Sequence, residues 1–270
     1  MKGNCPARTP AGMQEIHPAR ILALCRTKHL SRRIVLFDEV GSTNTAALSS
    51  AAAGAKGETL FIAEEQRFGK GRKGRRWLSL RGKSLTFSLL LSPARAAEGL
   101  TAIMALAVIV ALENFVKGLA IKWPNDIYLK GRKLGGILAE SRDEHVALGL
   151  GLNVNQTVKE FPPEIADEAI SMRIASRNGF DRGIVLCRLL EEFERLYGRF
   201  QEEGFAPFRG EIERCLLYRG EVVVIDSGGT PLEGTMVGIT NEGFLRLDID
   251  GSERTFSSGD LTLREKPQCI

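Results

Sequence analysis

Hydrophobic and polar positions along the chain follow two periods. RIVLFDEV (33–40), ETLFIAEEQ (58–66), SLTFSLLLS (84–92) and HVALGLGLNVN (145–155) are short, β-branched or aromatic-rich runs that predict strands. LAIKWPNDIYL (119–129) predicts a strand broken at Pro124. A turn at 130–132 then leads back through KLGGILAES (133–141), so the pair reads as a hairpin. Helical spacing appears at 17–24, in the Ala-rich stretch that Ser42-Thr43-Asn44 introduces, over 98–117 and over the amphipathic 182–202. Past Cys215 the pattern changes to short β runs with turn residues about every ten positions, which predicts a small β-barrel module. Residues 1–32 are polar, basic and weakly patterned, and read as an N-terminal extension with one short helix.

Charge sharpens this picture at one place. The formal net charge is +4, yet residues 66–83 alone carry Arg67, Lys70, Arg72, Lys73, Arg75, Arg76, Arg81 and Lys83 with no acid among them, so the rest of the chain is slightly acidic. That argues for one local anion site rather than a surface that coats nucleic acid. The five cysteines are far apart with no C-x-x-C, as expected of reduced thiols in the cytoplasm. The most apolar run, 100–112, is too short to span a bilayer.

Within the basic segment, GKGRKGRRW (69–77) interleaves three glycines with five cations. It formally matches G-x-G-x-x-G, but no helical period follows to face a pyrophosphate, which argues against a dinucleotide fold. A solvated basic turn is the plain alternative. Against it, the glycines cost backbone entropy and add no core, whereas N–H groups and guanidinium forks together suit closure around an anion. Nucleic acid is a further alternative, although only Phe68 and Trp77 are there to stack on bases. KWPNDIYLKGRKLGGIL (122–138) is the second unusual stretch: Asn125 and Asp126 sit at a strand break, and Lys133 lies across the hairpin from them.

Taken in order, Ser42-Thr43-Asn44, AEEQ ending at Gln66, the Gly-Arg loop 69–77, KWPNDIYL, KLGGIL and GLGLNVN resemble the biotin protein ligase family over about residues 33–265. The resemblance implies an α+β fold, with a mixed sheet and packed helices over 33–214 and a small SH3-like barrel over 215–270. It implies an ATP-dependent ligase that makes biotinyl-adenylate and transfers biotin to a lysine of a biotin carboxyl carrier protein, with Mg²⁺ accompanying ATP. By the same resemblance Ser42, Thr43, Asn44, Gln66, Lys70, Gly71, Arg72, Lys133, Gly135 and Gly136 bind biotin. Arg75, Trp77, Asn125, Asp126 and Asn153 meet ATP, Asp126 holds the metal, and Arg72 and Lys133 are the catalytic cations. The loop is expected to be open for entry and to order over the intermediate.

Two features depart from the family. Lys70 stands where arginine is usual, which keeps the charge but loses the planar fork. Residues 1–32 are too few for the winged helix-turn-helix of bifunctional members, so no DNA partner is expected. A monomer or a homodimer fits. The rivals are a lipoate or octanoate ligase of the same fold, a non-catalytic regulator that binds biotinyl-adenylate, and an RNA-binding protein using the basic loop. His17, His29 and His145 lie outside every motif, consistent with chemistry in which a substrate carboxylate is the nucleophile.

Overall fold

The structure, a computed structural model, describes residues 16–55, 57–93 and 99–264. The expected helix start at Glu98, the ends of the chain, and Cys5 and Cys269 lie outside the described residues. The first elements are α1 (Pro18–Leu24), β1 (Ile34–Val40), α2 (Thr43–Ala52), β2 (Thr59–Gln66), β3 (Ser84–Leu91) and α3 (Leu100–Leu112). Next come β4 (Leu119–Lys122), β5 (Asp126–Leu129), β6 (Arg132–Arg142), β7 (His145–Asn153), α4 (Met172–Ser176), α5 (Arg182–Glu203) and α6 (Arg209–Cys215). The last five are β8 (Val222–Asp226), β9 (Leu232–Ile239), β10 (Leu245–Ile249), β11 (Ser252–Phe256) and β12 (Asp260–Leu263).

Seven strands form a mixed sheet in the order β1-β2-β3-β7-β6-β5-β4, with β1 and β2 parallel and the other neighbours antiparallel. The C-terminal five form an antiparallel sheet in the order β11-β10-β9-β8-β12. β3 lies inside the sheet between β2 and β7 and is buried along its whole length. Leu85, Phe87, Leu89 and Leu91 join the main core with α3 and α5. Leu90 packs with Ala47, Phe61 and Ala147 under α2, on the other face.

Three observations correct the pattern-based reading. The break at Pro124 is a full reversal, since β4 and β5 pair antiparallel with Lys122 opposite Asp126. α3 is buried on more than one face, because sheet, α5 and α6 enclose it, and only Thr101, Ala102, Ile109 and Val110 are left half-buried. The expected extension belongs, over 16–32, to the core: Ile16, Ile21 and Leu30 are buried in it. Polar clasps hold this segment, with Glu194 accepting from the N–H groups of Lys28, His29 and Leu30, and Arg20 paired with Asp181. Among the described residues no helix is long and apolar enough to cross a membrane.

Candidate active site

A cavity of about 350 Å³ opens over the face of the sheet that carries the N-terminus of α2. At one end Ser42 caps α2, and its side chain makes no capping bond. Thr43 donates to Gln66 Oε1 from its backbone N–H at 2.8 Å and from its hydroxyl at 3.0 Å. Asn44 Nδ2 donates to Leu138 O at 3.1 Å and to Glu140 Oε2 at 2.9 Å, which fixes which way its amide faces. The Ser88 hydroxyl lies 2.6 Å from both Thr43 Oγ1 and Asn44 Oδ1. Thus one strand end, one helix start and the buried strand β3 build a buried polar patch, and its members orient one another.

The alternate glycines of β7 make room for it. A Cβ on Gly149 would stand 2.4 Å from Asn44 Oδ1, and one on Gly151 would stand 2.3 Å from the Trp77 ring.

The middle of the cavity depends on a bulge. Ile127 pairs with Gly135 while Tyr128 pairs with Lys133, leaving Leu134 as the extra residue of β6. Strict alternation would put Lys133 and Gly136 on opposite faces, and the bulge lets both line the cavity. Lys133 is held further by its backbone, which donates to Glu168 O at 2.7 Å and accepts from Ile170 N at 2.9 Å. Its Nζ lies 2.7 Å from Asp126 Oδ2.

The glycine-rich loop folds down as a small hairpin. Gly71 N–H donates to Arg75 O at 2.7 Å, Trp77 N–H donates to Gly69 O at 2.8 Å, and a turn at Arg72–Gly74 forms the tip. At that tip Lys73 and Gly74 are left-handed, with φ of 53° and 74°, which a glycine meets without cost. Arg72 reaches Asn125 Oδ1 at 3.3 Å and Gly259 O at 3.2 Å, and burial pushes its guanidinium pKa down. Lys73 and Arg75 both pair with Asp260, at 3.3 and 2.9 Å. Burial alone would raise the Asp260 carboxyl pKa, but these two cations outweigh it and hold it below the usual range. The loop is therefore anchored to the C-terminal sheet as well as to β5.

The model of the Biotin/lipoate A/B protein ligase family matches residues 36–155, and that of the Biotin protein ligase C terminal domain matches residues 220–264. The Bifunctional ligase/repressor BirA of Bacillus spizizenii is 33% identical over 248 residues, which are 88% of this chain and 76% of the relative. The chain belongs to the biotin protein ligase family. Another relative, the Biotin--[acetyl-CoA-carboxylase] ligase of Mycobacterium tuberculosis, is 32% identical over 85% of this chain and 88% of its own length. A solved biotin protein ligase from Aquifex aeolicus, in complex with biotin and ATP, matches with a TM-score of 0.78 at 32% identity, over 87% of this chain and 100% of that one.

For this biotin protein ligase family member, the structure gathers Ser42, Thr43, Asn44, Gln66, Lys70, Gly71, Arg72, Arg75, Trp77, Asn125, Asp126, Lys133, Gly136 and Asn153 around the one cavity. Gly135 does not line it. A Cβ there would stand 2.7 Å from Gly151 O, so its glycine serves the close approach of β6 and β7.

Sequence reasoning missed Ser88, Glu140, Lys122, Tyr128 and Asp260. Ser84, Thr86 and Ser88 alternate as polar residues in an otherwise apolar strand, a signal that marks one face of β3. Asp260 had no such signal, because it meets Arg75 from 185 positions away.

Proposed function

We propose that the chain is an ATP-dependent biotin ligase that forms biotinyl-adenylate and passes biotin to a lysine of a biotin carboxyl carrier protein. One observation carries the reading: the polar patch of Thr43, Asn44, Gln66 and Ser88 and the cations Lys133 and Arg72 share a single cavity. Fixed amide and hydroxyl groups suit the donors and acceptors of a ureido ring better than they suit an aliphatic tail. That patch is the argument against lipoate.

The first step brings a carboxylate against a polyanionic phosphate. Unit charges about 4 Å apart repel by roughly 1 kcal/mol in water and by several times that in a drier pocket. Lys133 and Arg72 are held in advance where that repulsion must be offset, so they act by electrostatic stabilisation and alignment. The Lys133 ammonium is paired with Asp126. Binding exchanges that carboxylate for the substrate's carboxylate and phosphate. Asp126 is then released toward the nucleotide.

Among the described residues no three His, Cys, Asp or Glu side chains cluster to hold a metal by themselves. Asp126 beside Asn125 offers a carboxylate and an amide oxygen, which fits Mg²⁺ arriving on ATP, an ion that takes few protein ligands along with phosphate and water. Held there, Mg²⁺ would supply charge neutralisation on the phosphates.

Residues of the loop line the cavity, and closed over the mixed anhydride they would keep water from it. ATP–pyrophosphate exchange tests the reading. Label should enter ATP when biotin is present and should not when biotin is omitted. Exchange that responds to lipoate and not to biotin overturns the substrate assignment.

A further inference from the structure

Two cysteines that stand far apart in the sequence meet in the fold. Cys187, Glu191 and Glu194 fall at helical spacing on α5 and share one stripe of it. Residues 25–30 run along that stripe. Glu191 Oε1 accepts from the Arg26 N–H at 3.0 Å, and Glu194 accepts from the N–H groups of Lys28, His29 and Leu30. One turn back along α5, Cys25 caps the C-terminus of α1 and lies against Cys187. The Cys25 backbone N–H donates to Ile21 O at 2.8 Å, and the Cys187 thiol donates to the same oxygen at 3.9 Å. The two thiols also hydrogen-bond each other. Both are free, Cys187 only 4% exposed and Cys25 half-buried. Neither lines the cavity of the candidate active site.

A single buried cysteine is a small apolar filler. Two in contact, one of them reachable from the surface, are a dithiol. Among the described residues no third His, Cys, Asp or Glu joins them in a cluster that could hold a metal. We propose that Cys25 and Cys187 form a reversible dithiol–disulfide site, oxidised by a hydroperoxide, which staples residues 16–32 to α5. The hydrogen bond from Cys25 lowers the Cys187 pKa, and the Arg20 guanidinium adds to this against burial, Glu191 and Asp181. The same hydrogen bond and burial raise that of Cys25. Cys187 is therefore the attacking sulfur and Cys25 the resolving one. In the first step Cys187 Sγ bonds to a peroxide oxygen, the O–O bond breaks, and the departing hydroxide takes the thiol proton to become water (or the alcohol of an organic peroxide). In the second, Cys25 Sγ bonds to Cys187 Sγ, the S–O bond breaks, and the hydroxyl leaves as water with the Cys25 proton. The two sulfurs give two electrons to the peroxide, and a dithiol reductant returns them.

The test isolates the pair in the full chain carrying Cys5→Ser, Cys215→Ser and Cys269→Ser. On exposure to hydrogen peroxide both remaining thiols should disappear, and trypsin should release a linked peptide joining residues 21–26 to residues 183–188. Dithiothreitol should abolish that peptide. The cross-link closes a loop of about 160 residues, so the oxidised chain should unfold about 5–10 °C above the reduced one. The wild-type chain should yield the same linked peptide, which carries the test if the triple substitution does not fold. Cys25→Ser should show neither link nor thermal shift, and its Cys187 should run on to the sulfinic acid. The inference is overturned if both thiols survive peroxide in the folded chain, if Cys25 links to another cysteine or to a second chain, or if the link forms without raising the unfolding temperature. None of these readouts depends on biotin or ATP, so the ligase reading and this inference stand or fall separately.

Discussion

Single atoms decide two positions of this site. At Gly149 and Gly151 an added methyl meets groups that are themselves held in place, the Asn44 amide at 2.4 Å and the Trp77 ring at 2.3 Å. Neither obstacle is the loose end of a flexible side chain. Asn44 is tied to Leu138 and Glu140, and Trp77 closes the base of the loop. Gly149→Ala should therefore cost about 1–3 kcal/mol of stability, as overpacking does, and should weaken biotin binding by displacing Asn44. Thermal unfolding and calorimetry with biotin would check both, and wild-type affinity would show that Asn44 is not needed where it stands. Lys133→Ala makes the opposite kind of change, deleting a charge without crowding. Adenylate formation should fall by at least about a hundredfold, in line with the loss of one preorganised stabilising group. Folding should survive, since Lys133 is one third exposed and its pairing is with a single carboxylate. Retained turnover would remove Lys133 from the chemistry.

Loop 69–77 shows how elements cooperate across the sequence. Its hairpin is local, but what holds it down is Asp260 at the start of β12 and Asn125 before β5. Exposed pairs contribute about 0.2–1 kcal/mol each, so Asp260→Asn should speed tryptic cleavage within the loop two- to tenfold. Equal cleavage rates would mean that the C-terminal sheet does not anchor it. The pH dependence has a definite sign. A carboxyl held below its usual range stabilises above that range, and the contribution is lost as pH falls through the lowered value. Loop protection should therefore persist at neutral pH and fade only on acidification. The same loop marks how much was legible beforehand. Strand runs and the Ala-rich helix could be read because each leaves a local pattern, period two or a cap, whereas the residues of the cavity were legible through the family resemblance of the motifs that carry them. The bulge at Leu134 could not, since nothing in KLGGIL distinguishes a straight strand from one that turns Lys133 and Gly136 to the same side. Residues 16–32 were hidden for a similar reason. Ile16, Ile21 and Leu30 are too widely spaced to form a period, and only tertiary contacts, among them those of α1 with α5 and β1, make them core.

Over the whole molecule one core runs from the large sheet into the C-terminal sheet, joining Ile103, Ile121 and Trp123 with Ile212, Leu216, Ile239 and Leu245. The Trp123 indole N–H donates to Gly243 O at 3.2 Å across that junction. The chain's three tyrosines sample this body at separate points, and all are described: Tyr128 on β5, Tyr197 on α5 and Tyr218 ahead of β8. Burial pushes the first two up to about 12 and raises the third as well. An ordinary phenol ionises near pH 10. An acid whose pKa is raised by folding keeps its proton longer in the folded chain than in the unfolded one. Its contribution is fully present below about pH 10, declines above that as the unfolded chain ionises, and is gone once pH passes the folded value. Phenolate absorbance should accordingly show no step near pH 10, and should rise at higher pH together with the loss of circular dichroism. If the core is continuous, the rise should be a single transition that includes all three residues. A separate early step would mean that one part of the body, most directly the C-terminal sheet with Tyr218 at its entrance, opens without the rest.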